Sequence, residues 1–174
     1  MTRREVRQLG TLELRAEPDG RTLTGTVVPY HTDTRIGHYV ETFLPGAFAD
    51  ATTTPETTRL LVAHEAHRLP IGRAVTLTEE ARGLLGDFLV SRTASGDDVL
   101  ALAADGVRLG LSVGFVPLED RWTRDRSRVE RVRATLVEVS VVGVPAYEDA
   151  LVASVRSEQA RTFARRHAAR LYPR

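Results

Sequence analysis

The chain has 174 residues, 42% of them apolar, with 24 basic and 23 acidic side chains and a formal charge of +1; this suits one domain with one core and excludes a largely disordered chain. Cysteine is absent, which removes a disulfide framework, thiolate metal sites and a cysteine nucleophile. The first residues lack the apolar stretch of a signal peptide and no apolar run approaches the ~18 residues of a membrane helix, so a cytoplasmic protein, neither secreted nor membrane-bound, is expected.

Val6 to Leu14 and Leu23 to Val28 read as the two strands of a hairpin around the turn Pro18-Asp19-Gly20-Arg21. His38 to Leu44 alternates polar and apolar residues, and Pro45 suits the first turn of a short helix running to Asp50. A polar loop, Thr52 to Thr58, precedes three strand signatures: Leu60 to Ala63, Ile71 to Leu77 and Gly83 to Val90. Ser95 suits an N-cap, and Val99, Leu100, Leu102, Ala103 and Val107 recur at helical spacing, predicting a helix over Asp97 to Arg108. Leu111 to Leu118 and Val132 to Val142 return to strand chemistry, joined by an arginine-rich arm. Leu151 to Val155 adds a last strand. Beyond Ser157, the positions Ala160, Phe163, Ala164, His167, Ala168 and Leu171 form one apolar stripe of a terminal helix.

These elements predict a folded domain over residues 1–156 and an arginine-rich helical tail over residues 157–174. Many strands, with helices that do not alternate with them, indicate an α+β fold whose mainly antiparallel sheet is closed or strongly curved. Charge is uneven: between Arg121 and Arg133 six arginines face only Asp125 and Glu130, and from Arg156 to Arg174 six face only Glu158. Such runs suit acidic partners or plain solvated faces. No aromatic residues alternate with them as stacking platforms, so a nucleic-acid partner is not expected.

The sharpest local pattern is Gly110-Leu111-Ser112-Val113-Gly114-Phe115. Along a strand, Leu111, Val113 and Phe115 face one way and Gly110, Ser112 and Gly114 the other, so the hydroxyl is flanked by two positions without side chains. Gly110 and Gly114 then leave room for a second backbone, such as a substrate peptide; alternatively they mark a bulge and Ser112 bonds to a neighbour. The same residues satisfy G-x-S-x-G, but the α/β-hydrolase elbow needs a following helix and then an acid and a histidine. Here strand chemistry continues, and His167 alone follows.

Among five histidines, His64 stands at the end of the apolar run Leu60 to Ala63, where a strand end could hold it rigidly. His64-Glu65-Ala66-His67 resembles the zinc motif H-E-x-x-H but is one residue short and lies before Pro70 in a segment without helical pattern, so no metal and no cofactor is expected. In Leu136 to Val142, alternation puts Val137, Val139 and Val141 on one face and Glu138 with Ser140 on the other. A buried carboxylate there needs a partner, and an imidazole suits it. A solvated strand face is the other reading of Glu138.

Together these segments, from about Gly10 to Val155, resemble the prohead maturation proteases of tailed bacteriophages, which are similar in fold to the herpesvirus assemblins. The resemblance rests on Tyr39 to Phe48, Leu60 to His64, Ile71 to Arg73, Gly83-Leu84, Leu111 to Phe115 and Leu136 to Val142 followed by Pro145-Ala146. It implies a closed β-barrel wrapped by helices and a catalytic triad in the order His64, Ser112, Glu138. It also implies a serine endopeptidase that cleaves the scaffolding segment of the major capsid protein, and itself, inside the assembling prohead in the host cytoplasm. A homo-oligomer is left open. The competing reading is a catalytically silent capsid-assembly component of the same fold.

Overall fold

The computed structural model describes residues 5–11, 15–16, 20–107 and 109–143. The expected strand and helix beyond residue 150, the segment around Pro145, residues 12–14 and 17–19 of the first hairpin, and the division at residue 156 lie outside them. Within them run β1 (Glu5–Thr11), β2 (Arg15–Ala16), β3 (Thr22–Pro29), β4 (Thr34–Ile36), β5 (Tyr39–Phe43), β6 (Arg59–Val62), β7 (Gly72–Glu80), β8 (Gly83–Val90), α1 (Ala94–Ala104), β9 (Gly110–Trp122) and β10 (Arg128–Val142). Short 3₁₀ turns occupy Ala49–Thr52 and Pro55–Thr57.

All ten strands belong to one sheet in the order β1-β9-β10-β6-β7-β8-β3-β2, with β5 also on β10 and β4 on β5. The sheet is mixed: β9 runs antiparallel to β10, whereas β5 and β6 both run parallel to it, β5 along its first half and β6 along its last. The sheet curls until β1 comes near β3. Among the described residues no ladder joins the two ends, so the architecture is a curled half-barrel in place of the expected closed barrel. It is mainly β, with α1 the one α-helix among the described residues.

Several elements differ from expectation for identifiable reasons. The first strand does not pair with β3. Instead β1 lies antiparallel to β9, and only the two-residue β2 forms the ladder with β3. Alternation identifies a strand but not its partner. The helix starts earlier than Ser95 because Thr93 is the N-cap: its hydroxyl accepts the Gly96 N–H at 3.1 Å. Gly96 is required there, since a Cβ would stand 2.5 Å from the Ser91 carbonyl oxygen. After Pro45 the chain turns rather than forming a helix, and Glu79 closes this turn by accepting from Gly46 N at 3.0 Å and Phe48 N at 3.2 Å.

The core lies inside the curl. Leu111, Val113 and Phe115 enter it from β9 as alternation requires, and Phe115 meets Phe43 and Phe48 at centroid distances of 5.2 and 6.1 Å. The arginine-rich arm is the β9–β10 hairpin, and it is less bare than its composition suggests. Arg131 is 2% exposed and pairs with Glu41, fully buried, at 2.8 Å and with Asp120 at 2.6 Å. Arg128 pairs with Asp33 through both guanidinium nitrogens.

Candidate active site

Three neighbouring strands of the sheet carry the site. Ser112 lies on β9 and directly faces Ser140 of β10; Gly114, two residues along, faces Glu138. A register shift between Leu136 and Glu138 precedes these pairs, a β-bulge that resets the alternation so that Glu138 and Ser140 share the face of Ser112. The parallel neighbour β6 then delivers His64. Its ladder with β10 continues one step past its end, Ala63 N–H donating to the Val141 carbonyl at 2.9 Å.

At that point the backbone enters the left-handed region twice in succession, with φ of 49° at Ala63 and 61° at His64. A residue with a Cβ pays roughly 1–2 kcal/mol for this conformation, so two in a row persist only where the surroundings impose them. Here the His64 N–H donates to Ser140 Oγ at 3.1 Å, and the Ala66 N–H closes a tight turn on the His64 carbonyl at 2.7 Å. The turn brings the imidazole between an acid and a hydroxyl. Its Nδ1 lies 2.7 Å from Glu138 Oε1 and its Nε2 lies 2.6 Å from Ser112 Oγ.

The donors and acceptors follow from inventory. A carboxylate only accepts, so Nδ1 donates to Glu138; in the neutral imidazole Nε2 then keeps its lone pair and accepts from the Ser112 hydroxyl. Glu138 is 1% exposed, Ser112 and Ser140 are fully buried, and the His64 side chain retains 20% exposure. The second carboxylate oxygen, Oε2, accepts from Ser140 Oγ at 2.7 Å. Burial of the carboxylate without such partners would be costly, and both its oxygens are engaged here. The solvated-face reading of Glu138 is therefore excluded.

Of the residues weighed in the sequence, His64, Ser112, Glu138, Gly110 and Gly114 lie on this constellation or beside it. His64, Ser112 and Glu138 are in one hydrogen-bonded chain, and Gly110 and Gly114 flank Ser112 within the β9 ladder. His67 is exposed and outside it, and no cluster of three metal-ligating side chains forms among the described residues. Ser112 sits within a strand that runs on to Trp122, not at a strand-to-helix elbow. Ser140 is the member that reading for reactive types misses. Its signal was present in the alternation, which puts two polar residues on one face of a strand otherwise rich in valine.

An open groove of about 540 Å³ adjoins the turn, walled by Val62, Glu65 and Leu69 on the His64 side and by Val99 and Leu102 of α1. Leu69 and Leu102 are 89% and 43% exposed there.

The Caudovirus prohead serine protease family matches residues 10–165 of this chain. No curated protein sequence matches it. Among solved structures, the chain is similar to the capsid assembly protease gp21 of bacteriophage T4, with a TM-score of 0.62 and 11% identity over 83% of this chain and 99% of that one. At that identity the likeness concerns the fold, and it is the family match over most of the length that settles kinship. The chain belongs to the Caudovirus prohead serine protease family and is a serine peptidase of phage capsid assembly.

Proposed function

We propose that this protein is the endopeptidase that cuts the scaffolding segment from its phage's major capsid protein, and cuts itself, within the assembling prohead in the host cytoplasm. Ser112 is the nucleophile, His64 the general base and then acid, and Glu138 the group that orients the imidazole. The observation that carries this reading is the continuous chain from Glu138 Oε1 through both ring nitrogens of His64 to Ser112 Oγ, with links of 2.7 and 2.6 Å.

In the first half-reaction His64 Nε2 takes the Ser112 proton as Oγ attacks the peptide carbonyl carbon. When the tetrahedral intermediate collapses, the C–N bond breaks and His64 returns that proton to the leaving amine. In the second half-reaction His64 takes a proton from water, whose oxygen attacks the acyl carbon; collapse expels Ser112 Oγ, which recovers the proton. Glu138 stays ionised throughout and stabilises the imidazolium that forms twice per turnover.

The ladder restricts the direction of approach. At Ser112 both edges of β9 are occupied, by Gln8 of β1 and by Ser140 of β10, so a substrate cannot add to β9 as an extra strand. The remaining approach is over the sheet face, where Gly110 and Gly114 put no side chain beside the hydroxyl. Gly114 serves a second purpose, because a side chain at that position would lie directly across from Glu138, about 5 Å away at Cβ. The test is co-expression with the major capsid protein, read by mass spectrometry. The unaltered chain trims the capsid protein and Ser112→Ala leaves it full length; trimming by Ser112→Ala at the normal rate would overturn the assignment.

A further inference from the structure

We infer that Ser140 is a positioning residue, whose single hydroxyl locks the Glu138 carboxylate to the turn that carries His64. The inference rests on the triad reading above and deepens it. Ser140 is fully buried and directly faces Ser112 across the β9–β10 ladder. Its proton goes to Glu138 Oε2 at 2.7 Å, and a lone pair on the same oxygen receives the His64 N–H at 3.1 Å. One hydroxyl thus fills both roles without conflict, since it has one hydrogen to give and two lone pairs to receive.

Each bond fixes something that the triad alone leaves loose. The terminal torsion of a glutamate is broad and roughly two-fold, so the single bond from Oε1 to His64 Nδ1 does not hold the carboxylate plane. The bond from Ser140 to Oε2 does. The main chain at Ala63 and His64 is in an unfavourable conformation, and relaxation there would swing the imidazole away from Ser112. The Ser140 acceptor restrains the N–H at the centre of that strained pair. Because both bonds end on the same oxygen, the acid and the base hold their relative position as one body, and that alignment is what proton transfer from Ser112 demands.

The experiment uses a fluorophosphonate, which serine peptidases accept irrespective of peptide sequence: Ser112 Oγ gives its proton to His64 Nε2 and attacks phosphorus, and the P–F bond breaks to release fluoride. Ser140→Val and Ser140→Thr add the same branched shape and differ in the hydroxyl alone. Ser140→Thr is expected to label at close to the native rate. Ser140→Val is expected to label about 100-fold more slowly at saturating probe, with the half-saturating concentration unchanged, since displacement by an ångström or less costs rate rather than affinity. A merely structural serine would give the two variants equal rates. Should Ser140→Val not fold, Ser140→Ala removes the oxygen and gives the same comparison against the unaltered chain. Equal labelling of the hydroxyl-bearing and hydroxyl-free chains, with Ser112→Ala unlabelled, overturns the role of Ser140 and leaves the triad standing. Labelling of Ser112→Ala at the native rate overturns the triad and this role with it.

Discussion

Glu138 is held by two donors of different kinds, an imidazole N–H on Oε1 and a serine hydroxyl on Oε2, and this decides what its amide replacement does. In Glu138→Gln the amide oxygen still accepts from His64 and the amide nitrogen donates to Ser140, which turns its own proton elsewhere; the shape and most of the bonding survive. What goes is the charge that stabilises the imidazolium. Turnover should fall on the order of 10⁴-fold, about 5 kcal/mol in the barrier. A folding change near 1 kcal/mol would move the melting temperature by about 2–4 °C for a chain of this size. Single-turnover assays beside thermal melts check both, and a loss of activity matched by a loss of folding would count against an orienting role. Alternation made Ser112 and Glu138 candidates, and the end of an apolar run made His64 one; it was the resemblance to the family that joined the three. The strained pair at Ala63 and His64 was not legible in the sequence, since nothing in Ala-His announces a left-handed turn. Ser140 lay in plain sight beside Glu138, but its bond to the His64 N–H depends on β6 running parallel to β10, a pairing that no local pattern reports.

Among elements, the arm is the clearest case of composition misleading and alternation guiding. Its two strands were expected, and they form β9 and β10; its arginines looked like a free basic run, whereas Arg128 and Arg131 are committed to acids far away in sequence. The Arg128–Asp33 pair ties the start of β10 to the segment before β4. Hydrogen bonds from Arg128, then from Thr42, hold the Asp33 carboxyl down to about 2. A carboxyl depressed in the folded state adds stability above its unfolded value, near 3.9, and loses that contribution as pH falls through its folded value. Asp33→Asn should therefore melt below the parent protein at pH 7 and converge with it between about pH 4 and pH 2. The gap should be small and should shrink in high salt, because Asp33 and Arg128 are 52% and 42% exposed. A gap that persists at pH 2 would mean that the amide harms the loop for some reason other than charge. The early edge of α1 shows the opposite limit of local reading. Thr93 and Ser95 are both adequate caps, and it is the docking of Gly96 against the Ser91 carbonyl that favours the earlier start.

For the whole molecule, the curled sheet depends on a buried ionic cluster as well as on its apolar core. Arg131 of β10 joins Glu41 of β5 and Asp120 of β9, and its guanidinium carbon lies 5.5 Å from the Phe115 ring centroid. Arg131→Met takes the cation away from a fully buried carboxylate, so it should destabilise by about 3–5 kcal/mol. Adding Glu41→Leu should recover part of that loss, because a buried pair replaced whole by apolar groups is often near neutral. Denaturant midpoints measure both; a double variant no better than the single one would show that the cost lies in packing. Whether the sheet closes was beyond the sequence, for closure turns on which edges meet, and β1 turned out to neighbour β9, about a hundred residues on, not the strand that follows it. That long-range ordering also bears on when the proposed site can form. β10 is the last strand among the described residues, and it lies between β6 and β9 while carrying Glu138. On the proposed triad, a nascent chain that has emerged from the ribosome only as far as β9 holds Ser112 and His64, but has neither the strand that lies between β6 and β9 nor Glu138. The hydrogen bonds that join the three side chains span 48 and 74 residues, and contacts so far apart in sequence form slowly. Peptidase activity of the proposed kind therefore waits until β10 has paired with both β6 and β9.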